Sequence, residues 1–406
     1  MTDTLARAAA ERPLDGIKVL ELGQLIAGPF AGSMLAYFGA DVIKIEPPGD
    51  GDPLRKWRVM KGDTSLWWRS MGRNKRCITL DLRRDEGRAI ARRLMDQVDV
   101  VIENFRPGTL EKWGMHPDRL RETNPGLVLA RISGYGQTGP YASRPGFASV
   151  CEGIGGFRHI NGFPGEAPVR PNLSMGDTLA ALHAVIGILL ALVRRGRVGR
   201  DGGQVVDVAI YEAVFNMLES VVPEFDGAGV VRAPSGSTLT GIVPTNTYRC
   251  ADGKFVIIGG NNDSIFRRLM NAIGRADMAE DPRLGDNPGR VAHQAEVDGA
   301  IAEWTGGQAS DHVLAVLEEA AVPAGPIYDV ADMMSDPHFQ ARGLFERVEV
   351  DGEPLAIPAF VPALATTPGR TDWPGPALGS HTDEVLGGVL GLSGAEIAEL
   401  RDRGVV

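Results

Sequence analysis

The sequence predicts an α/β protein in which a parallel sheet forms a large domain and a smaller α+β domain follows it. The first 200 or so residues alternate short apolar runs, typical of buried strands, with longer amphipathic runs, typical of helices. A stretch rich in Gly, Pro, Ser and Thr then occupies about 222–245 and indicates a linker. A length of 406 residues exceeds what one hydrophobic core supports, so more than one domain is expected.

The amino-terminal part begins with the strand, helix and strand of a parallel sheet. Residues 17–23 and 41–46 have the composition of buried strands, and 27–40 reads as a helix with Pro29 near its first turn. Strands in this order pair in parallel through a right-handed crossover. The turn after the first strand should face a ligand, because sites in α/β sheets lie beyond the carboxyl ends of the strands. It contains no GxGxxG, so a dinucleotide site is not predicted.

The same patterns predict the remaining elements. In the large domain we expect further strands at 77–82, 99–105, 126–135 and 204–208, with helices at 85–97 and 178–196. In the small domain we expect a hairpin closed at Asp252-Gly253 and helices at 263–273, 291–305 and 311–321. A hairpin around Asp351-Gly352 and a helix at 394–404 end the chain. The predicted division is a loose tail (1–13), a large domain (14–222), a linker and small domain (223–330), and a return to the large domain (331–406).

Composition and charge limit the partners and the compartment. The net charge of −10 argues against a nucleic-acid-binding surface, which usually carries a basic excess. The three cysteines are too few and too far apart for a disulfide framework or a zinc site, and the seven histidines show no metal-ligand spacing. The tail has no continuous apolar segment typical of a signal peptide. We therefore expect a cytoplasmic protein without a metal.

The longest apolar run of the sequence, residues 178–196, raises two questions, one about membrane contact and one about the role of Asp177. Its core at 179–193 is shorter than the roughly 20 residues of a membrane span, so we expect a helix buried in the core and no membrane contact. Asp177 stands directly before the run, where an aspartate commonly caps a helix and favours the positive end of its dipole. From the residues alone, Asp177 is either a cap or also a nucleophile.

Motifs along nearly the whole chain resemble one family, the family III coenzyme A transferases, which include formyl-CoA transferase and the carnitine and bile-acid CoA transferases. In order, the motifs are PLDGIKVLELG, AGPFAG, GADVIKIEPPGDGD, NKRCITLDL, ENFRPGTLEKWG, NPGLVLARISGYGQTGPY, the Gly176-Asp177 pair, GQVVDVAIYEAV, YRCADGKFVII and LGSHTDEVL. The resemblance implies a Rossmann-like large domain built from both ends of the chain, an inserted small domain, and an interlocked homodimer.

The resemblance also implies a reaction and its residues. Asp177 would be the nucleophile that carries CoA through anhydride and thioester intermediates, with an acyl-CoA and a carboxylic acid as substrates and no permanently bound cofactor. Gly259-Gly260 could supply an oxyanion flap, although it is shorter than the poly-Gly loop of formyl-CoA transferase, which argues against formate or oxalate as substrate. The residues expected to bind CoA are the backbone of Ile26, Ala27 and Leu80 and the side chains of Arg83, Asn104, Phe105, Arg106 and Lys112.

The residues indicate the identity of the donor and acceptor acyl groups less directly. Arg131, Arg144, Arg158 and Arg170 flank the expected active-site loops. Each could pair with the second carboxylate of a dicarboxylic acid, or could instead form a salt bridge of the surface. On this basis we favour succinyl-CoA or a similar short dicarboxyl-CoA as the donor.

Two other functions remain as alternatives. The 2-methylacyl-CoA racemases share the fold but follow RPG with a His-Asp general base pair, whereas this chain has Gly146-Phe147-Ala148 and therefore lacks the imidazole that abstracts the α-proton. His159 is close in sequence but is interpreted as a loop residue. A protein that binds acyl-CoA without turning it over would keep the CoA loops and lack the nucleophile.

Overall fold

The computed structural model describes residues 11–406, apart from the side chain of Arg200. The chain divides into two compact units. The large unit comprises residues 11–157, Pro171–Val222 and His338–Val406, and the small unit comprises Arg158–Arg170 and Pro223–Pro337. Both ends of the chain therefore contribute to the large unit.

A six-stranded sheet forms the centre of the large unit. Its strands are β1 (Lys18–Glu21), β2 (Asp41–Glu46), β3 (Lys75–Thr79), β4 (Val100–Glu103), β5 (Val128–Ser133) and β6 (Gln204–Ala209). Every pairing is parallel, in the order β3-β2-β1-β4-β5-β6. The strand order reverses between β1 and β4, so their carboxyl ends flank a topological switch point, where ligands of open α/β sheets bind.

Helices cover both faces of this sheet. Val19, Val42 and Val128 face one core, which contains Ala31 and Ala184 of the covering helices, while their neighbours in sequence face a second core. Burial on both faces is typical of parallel sheets and explains the nearly continuous apolar strands. The α-helices of the large unit are Ala27–Tyr37, Leu66–Met71, Asp85–Met95, Thr109–Lys112, Pro117–Thr123, Ala148–Ile154, Met175–Val198, Ile210–Phe215, Thr382–Leu390 and Gly394–Asp402.

The small unit contains a three-stranded antiparallel sheet and its own core. The strands are β7 (Thr245–Arg249), β8 (Phe255–Gly259) and β9 (Ala324–Pro326), in the order β9-β8-β7. The turn at Gly253 has a φ of 81°, which confirms the predicted hairpin. The strand β9 was not predicted, because three residues give no periodic pattern. The helices are Asp263–Ala272, Ala276–Ala279, Asn287–Ala292, Gln294–Gly306, Ser310–Glu319 and Val330–Ser335.

Short elements complete the description. The predicted second hairpin pairs β10 (Phe345–Val350) with β11 (Glu353–Pro358). A two-residue hairpin joins Met60–Lys61 to Thr64–Ser65, and 3₁₀ turns occupy Pro53–Lys56, Arg200–Gly202 and Pro282–Leu284. Three short helices cross the boundaries between the units: Phe157–Ile160, Val221–Ala228 and Pro337–Ala341.

The structure differs from the sequence-based division at two places. Residues 158–170 belong to the small unit, where the N–H of Gly236 donates to the carbonyl of Gly162 at 2.9 Å. The chain returns to the large unit at His338 rather than at 331. Most of the expected tail lies outside the described residues, but Arg12 is held by Asp372 at 2.7 Å. Such contacts between distant segments leave no local pattern in the sequence.

The long helix, Met175–Val198, is not buried on every face as the sequence suggested. Ala180, Ala184 and Ile188 are buried, whereas Ile186 and Leu190 are 55% and 65% exposed. By length and composition alone this helix could cross a membrane. Of its most apolar 18-residue segment, 39% is buried within the protein. A sequence that is apolar all round cannot show which face packs on the sheet and which faces outward.

Candidate active site

The turn after β1 lies at the switch point between β1 and β4, and a side chain that follows β4 holds it. The amide of Asn104, directly after β4, accepts from the N–H of Gln24 and donates to its carbonyl, both at 2.8 Å. The packing is close, since a Cβ on Gly23 would lie 3.1 Å from the Cα of Gly28. The turn is therefore fixed before any ligand arrives.

The residues expected to bind CoA lie along the carboxyl edge of the sheet. Ile26 and Ala27 are buried where the turn becomes a helix, and no side chain caps that helix. The amino end of a helix that no side chain caps can receive an anionic or carbonyl oxygen on its N–H groups. Asn104 and Phe105 lie across the switch point from this turn, and the Phe105 ring packs edge-on against Trp113 at 5.1 Å.

The expected cations occupy the outer part of the same edge. Arg106 and Lys112 are exposed near the end of β4. Leu80 is buried just after β3, and the side chain of Arg83 is 80% exposed. Arg83 donates to Asp81 at 2.9 Å and thereby lowers the pKa of that carboxyl. A nucleotide could use these cations without desolvating a buried charge.

Asp177 lies within the first turn of the long helix, and it is not the cap that its position in the sequence suggested. The helix begins at Met175 and its N-cap is Ser174, whose side chain makes no capping bond. Asp177 is thus the third helical residue, half-buried, where the dipole still favours a negative charge. Because the helix starts earlier than the apolar run, the sequence placed its amino-terminal end three residues too late.

The residue before Asp177 has to be small. A Cβ on Gly176 would lie 3.0 Å from Ile210 Cγ2 and 3.2 Å from the Cβ of Ala148. Ile210 directly follows β6, so this contact holds the start of the long helix against the carboxyl edge of the sheet. Glycine at this position allows the close approach that fixes where Asp177 lies.

A buried carboxylate that the sequence analysis missed lies next to this site. Glu152 is fully buried in the helix Ala148–Ile154, and its Oε1 accepts from the N–H of Gly176 at 3.2 Å. Cys151, also buried, donates to the carbonyl of Gly134 at 3.3 Å. Burial, followed by the charges of Asp177 and Glu152, raises the pKa of the Cys151 thiol to about 11. No motif marked Glu152, because a lone glutamate in a short helix resembles a surface residue.

The two positions at which the racemases carry their His-Asp general base are occupied here by Phe147 and Ala148. Phe147 is 68% exposed, and the methyl group of Ala148 is buried against Gly176. A Cβ on Gly146 would lie only 3.0 Å from the ring of Tyr135 and 3.1 Å from the Cα of Gly134. His159 belongs to the small unit. Neither residue that replaces the His-Asp pair can accept a proton.

The four candidate arginines have different surroundings. Arg131 is buried, with bonds of 2.7 Å to both Glu103 and Glu111, so it forms a salt bridge, which was the alternative to binding the acid, and its charge is already neutralised. Arg144 is exposed and its guanidinium lies 3.7 Å from the centre of the Tyr141 ring. Arg158 and Arg170 belong to the small unit. Among these arginines in the large unit, Arg144 is the better candidate.

The Gly259-Gly260 pair does not offer the expected oxyanion donors. The N–H of Gly259 donates to the carbonyl of Pro323 and that of Gly260 to the carbonyl of Pro244, each at 2.9 Å. Both N–H groups are thus used within the small unit, and the flap prediction does not fit this pair. Backbone hydrogen bonding of this kind depends on tertiary contacts and cannot be read from a Gly-Gly dipeptide.

Comparison with known proteins decides the family. A family profile described as CoA-transferase family III matches residues 14–382. The chain belongs to CoA-transferase family III. This family III CoA-transferase is 48% identical over 398 residues to the succinyl-CoA–D-citramalate CoA-transferase of Chloroflexus aurantiacus, with 97% of this chain and 98% of the relative covered. It is 38% identical to the succinate–glutarate CoA-transferase of Agrobacterium fabrum, with coverages of 92% and 95%.

A solved structure supports the same assignment of fold. The family III CoA-transferase superimposes on a CAIB/BAIF family protein from Brucella suis with a TM-score of 0.82 and 35% sequence identity, covering 93% of this chain and 100% of that one. The resemblance inferred from the motifs is confirmed, and the enzyme is a CoA-transferase. Within residues 11–406, no group of three or more His, Cys, Asp or Glu side chains is arranged to hold a metal ion.

Proposed function

We propose that this enzyme moves CoA from succinyl-CoA, or another short dicarboxyl-CoA, to a free carboxylic acid through Asp177. The observation that carries the proposal is that Gly176, next to Asp177, packs against Ile210 just after β6, while the turn at Ile26 follows β1 of the same parallel sheet and the same unit. The nature of the donor is supported by the relatives, whose names specify succinyl-CoA or succinate as one substrate.

In this reaction CoA passes from the donor carbonyl to the Asp177 carbonyl and then to the acceptor carbonyl. The Asp177 carboxylate attacks the thioester carbonyl and expels the CoA thiolate, which leaves a mixed anhydride. The thiolate then attacks the Asp177 carbonyl, which releases the donor acid and leaves CoA bound to Asp177 as a thioester. The acceptor carboxylate displaces CoA through a second anhydride, and the thiolate attacks the acceptor carbonyl to free Asp177. One thioester is exchanged for another, so the energy of the bond is conserved without ATP.

The CoA moiety is expected to lie along the switch point. The backbone of Ile26 and Ala27 would contact the pantetheine arm, and Phe105 would add apolar contact. Arg83, Arg106 and Lys112 would meet the phosphates, which explains how an acidic protein binds a polyanion. Arg144 is the proposed partner of the distal carboxylate of a dicarboxylic acid.

We further propose a cytoplasmic homodimer in which the exposed face of the long helix is covered by a second copy. Ile186, Leu190 and Val193 are each more than half exposed and recur at helical spacing. Large contiguous apolar patches on a soluble protein usually mark an interface. This contact agrees with the interlocked dimer that the family implies.

Two variants test the nucleophile by mass spectrometry. The wild type, Asp177→Ala and Asp177→Asn are incubated with succinyl-CoA and hydroxylamine, or with borohydride. We expect a hydroxamate or a reduced side chain at Asp177 in the wild type and none in either variant, which should lose at least about 10³-fold in exchange rate. Glu212→Ala is the matched control, because Glu212 is an exposed carboxylate on the neighbouring helix Ile210–Phe215.

Other outcomes would favour the alternatives. Continued CoA exchange by Asp177→Ala would overturn the nucleophile assignment. Exchange of the α-proton in deuterated water without CoA transfer would indicate a racemase. Binding of succinyl-CoA without transfer to any of a panel of carboxylic acids would indicate a binding protein.

A further inference from the structure

A cluster of buried charges lies beneath the turn that follows β1. Its centre is Lys44, whose Nζ lies 2.9 Å from both Glu21 and Asp52 and donates to the carbonyl of Gly23 at 2.7 Å. Burial by itself would lower the pKa of Lys44, but the surrounding carboxylates, Glu21 foremost, raise it above its usual value. The cluster consists of Glu21, Lys44, Glu46, Asp52, Arg55 and Lys75.

Asp52 connects this cluster to the turn. Its two carboxylate oxygens accept from the N–H of Leu25 at 3.0 and 3.2 Å. Leu25 has a φ of 67°, a left-handed conformation that a leucine does not adopt without a compensating contact. The charge-assisted bond from Leu25 to Asp52 supplies such a contact.

Asp52 is itself held in place. Its own N–H donates to Glu46 at 2.9 Å, and Arg55 binds the Glu46 carboxylate through two bonds of 2.7 Å. The guanidinium of Arg55 in turn lies 3.9 Å from the centre of the Trp68 ring. Asp52 therefore has little freedom to follow a moving turn.

Three consecutive residues of the turn are thus fixed by side chains from three other segments. Lys44 holds the carbonyl of Gly23, Asn104 holds both backbone groups of Gln24, and Asp52 holds the N–H of Leu25. Ile26 and the start of the helix follow immediately. This arrangement defines the orientation of the backbone that the proposed CoA site uses.

Stability alone does not account for such a cluster. Well-packed apolar side chains often stabilise a core as much as a buried ion pair, because the attraction seldom exceeds the cost of desolvation. Fixing one backbone conformation is a role that apolar side chains cannot fill, since they offer no acceptor to the N–H of Leu25.

We propose that Lys44 and Asp52 are positioning residues that hold the Gly23–Ile26 turn in the conformation that binds acyl-CoA. This inference rests on the proposed function. The two side chains act through the backbone of the turn, and their charges take no part in the transfer of CoA between acyl groups.

The test compares Asp52→Asn with Asp52→Asn/Leu25→Gly. The asparagine keeps the shape of the side chain but lacks the negative charge that pairs with Lys44. Hydrogen exchange, measured by mass spectrometry on the peptide that covers the turn, should become faster in Asp52→Asn. The KM for succinyl-CoA should rise about tenfold, while kcat changes less than about twofold.

The added glycine distinguishes positioning from general loss of stability. Glycine adopts the left-handed conformation without strain, so Leu25→Gly in the Asp52→Asn background should recover at least about half of the lost affinity on a logarithmic scale. The matched control is Arg73→Met, which removes another buried charge of the large unit that has no bond to the turn. It should lower the melting temperature and leave the KM unchanged.

The outcomes separate this proposal from the proposed function. A wild type that transfers CoA, together with an unchanged KM or unchanged exchange of the turn in folded Asp52→Asn, would overturn the positioning role alone. An equal rise in KM for Arg73→Met would overturn it as well. A wild type that binds no CoA thioester would overturn the proposed function, and the positioning role with it.

Discussion

The buried carboxylate of Glu152 accepts the backbone N–H of Gly176, one residue before Asp177. The bond uses one of the N–H groups that the first turn of a helix leaves without an internal partner. It also ties the helix Ala148–Ile154 to the start of the long helix. Glu152 therefore contributes to fixing the point from which Asp177 extends.

Replacing Glu152 should separate the effects of its oxygen and its charge. Glu152→Ala leaves the N–H of Gly176 without its acceptor and opens a cavity, so we expect a loss of about 1–3 kcal/mol in the free energy of unfolding and a lower kcat. Glu152→Gln keeps an acceptor oxygen and should retain most of both. Chemical denaturation and steady-state kinetics measure the two quantities, and equal losses in both variants would contradict the role of the hydrogen bond.

The thiol of Cys151 reports on the charge of Asp177. With a pKa of about 11, only about one thiol in a thousand is ionised at pH 8, so alkylation by iodoacetamide should be slow. Asp177→Asn removes a neighbouring negative charge and should speed alkylation at pH 9 by about twofold to fivefold. Cys250, in the small unit, is the internal control and should react equally in both proteins. An unchanged ratio of the two rates would contradict the electrostatic coupling.

Glu103 should make stability depend on pH near neutrality. Burial raises its pKa from the usual 4.5 to about 7, although Arg131 opposes the shift. Between these values the folded protein binds more protons than the unfolded chain, so its stability falls as the pH rises from 4.5 through 7. The shift corresponds to a loss of about 3 kcal/mol across that window. Denaturation of the wild type and Glu103→Gln at several pH values measures it, and equal slopes for the two proteins would count against the shift.

The exposed apolar side chains on the outer face of the long helix predict that the protein is a dimer. Ile186→Glu and Leu190→Glu place a charge where the proposed dimer buries an apolar side chain, so each should shift the mass in solution from dimer to monomer. Light scattering after size-exclusion chromatography measures the mass. Glu122→Lys, an exposed change on the helix Pro117–Thr123, serves as the control and should leave the dimer intact. A monomeric wild type would refute the interface.

The sequence predicted the local elements well because their signals are local. The strands β1 and β2 and the helix Ala27–Tyr37 lie where the apolar runs place them, and both hairpins close at the expected Asp-Gly turns. The order of motifs also identified the family correctly. Periodicity, turn residues and motif order are properties of neighbouring residues, so they can be read without a structure.

Only the tertiary structure decided what surrounds each reactive group. The sequence left Arg131 as either an acid-binding residue or a member of a salt bridge, and the structure shows it held by two carboxylates. The N–H groups of Gly259-Gly260 are already bonded. Glu152 showed no signal, and Asp52 stood out only as part of the motif GADVIKIEPPGDGD, yet they fix the residues next to Asp177 and Ile26. The sequence by itself determined the α/β fold class and the family, whereas the partner of each buried charge depended on segments brought together by folding, since electrostatic and hydrogen-bond energies depend on distance in space.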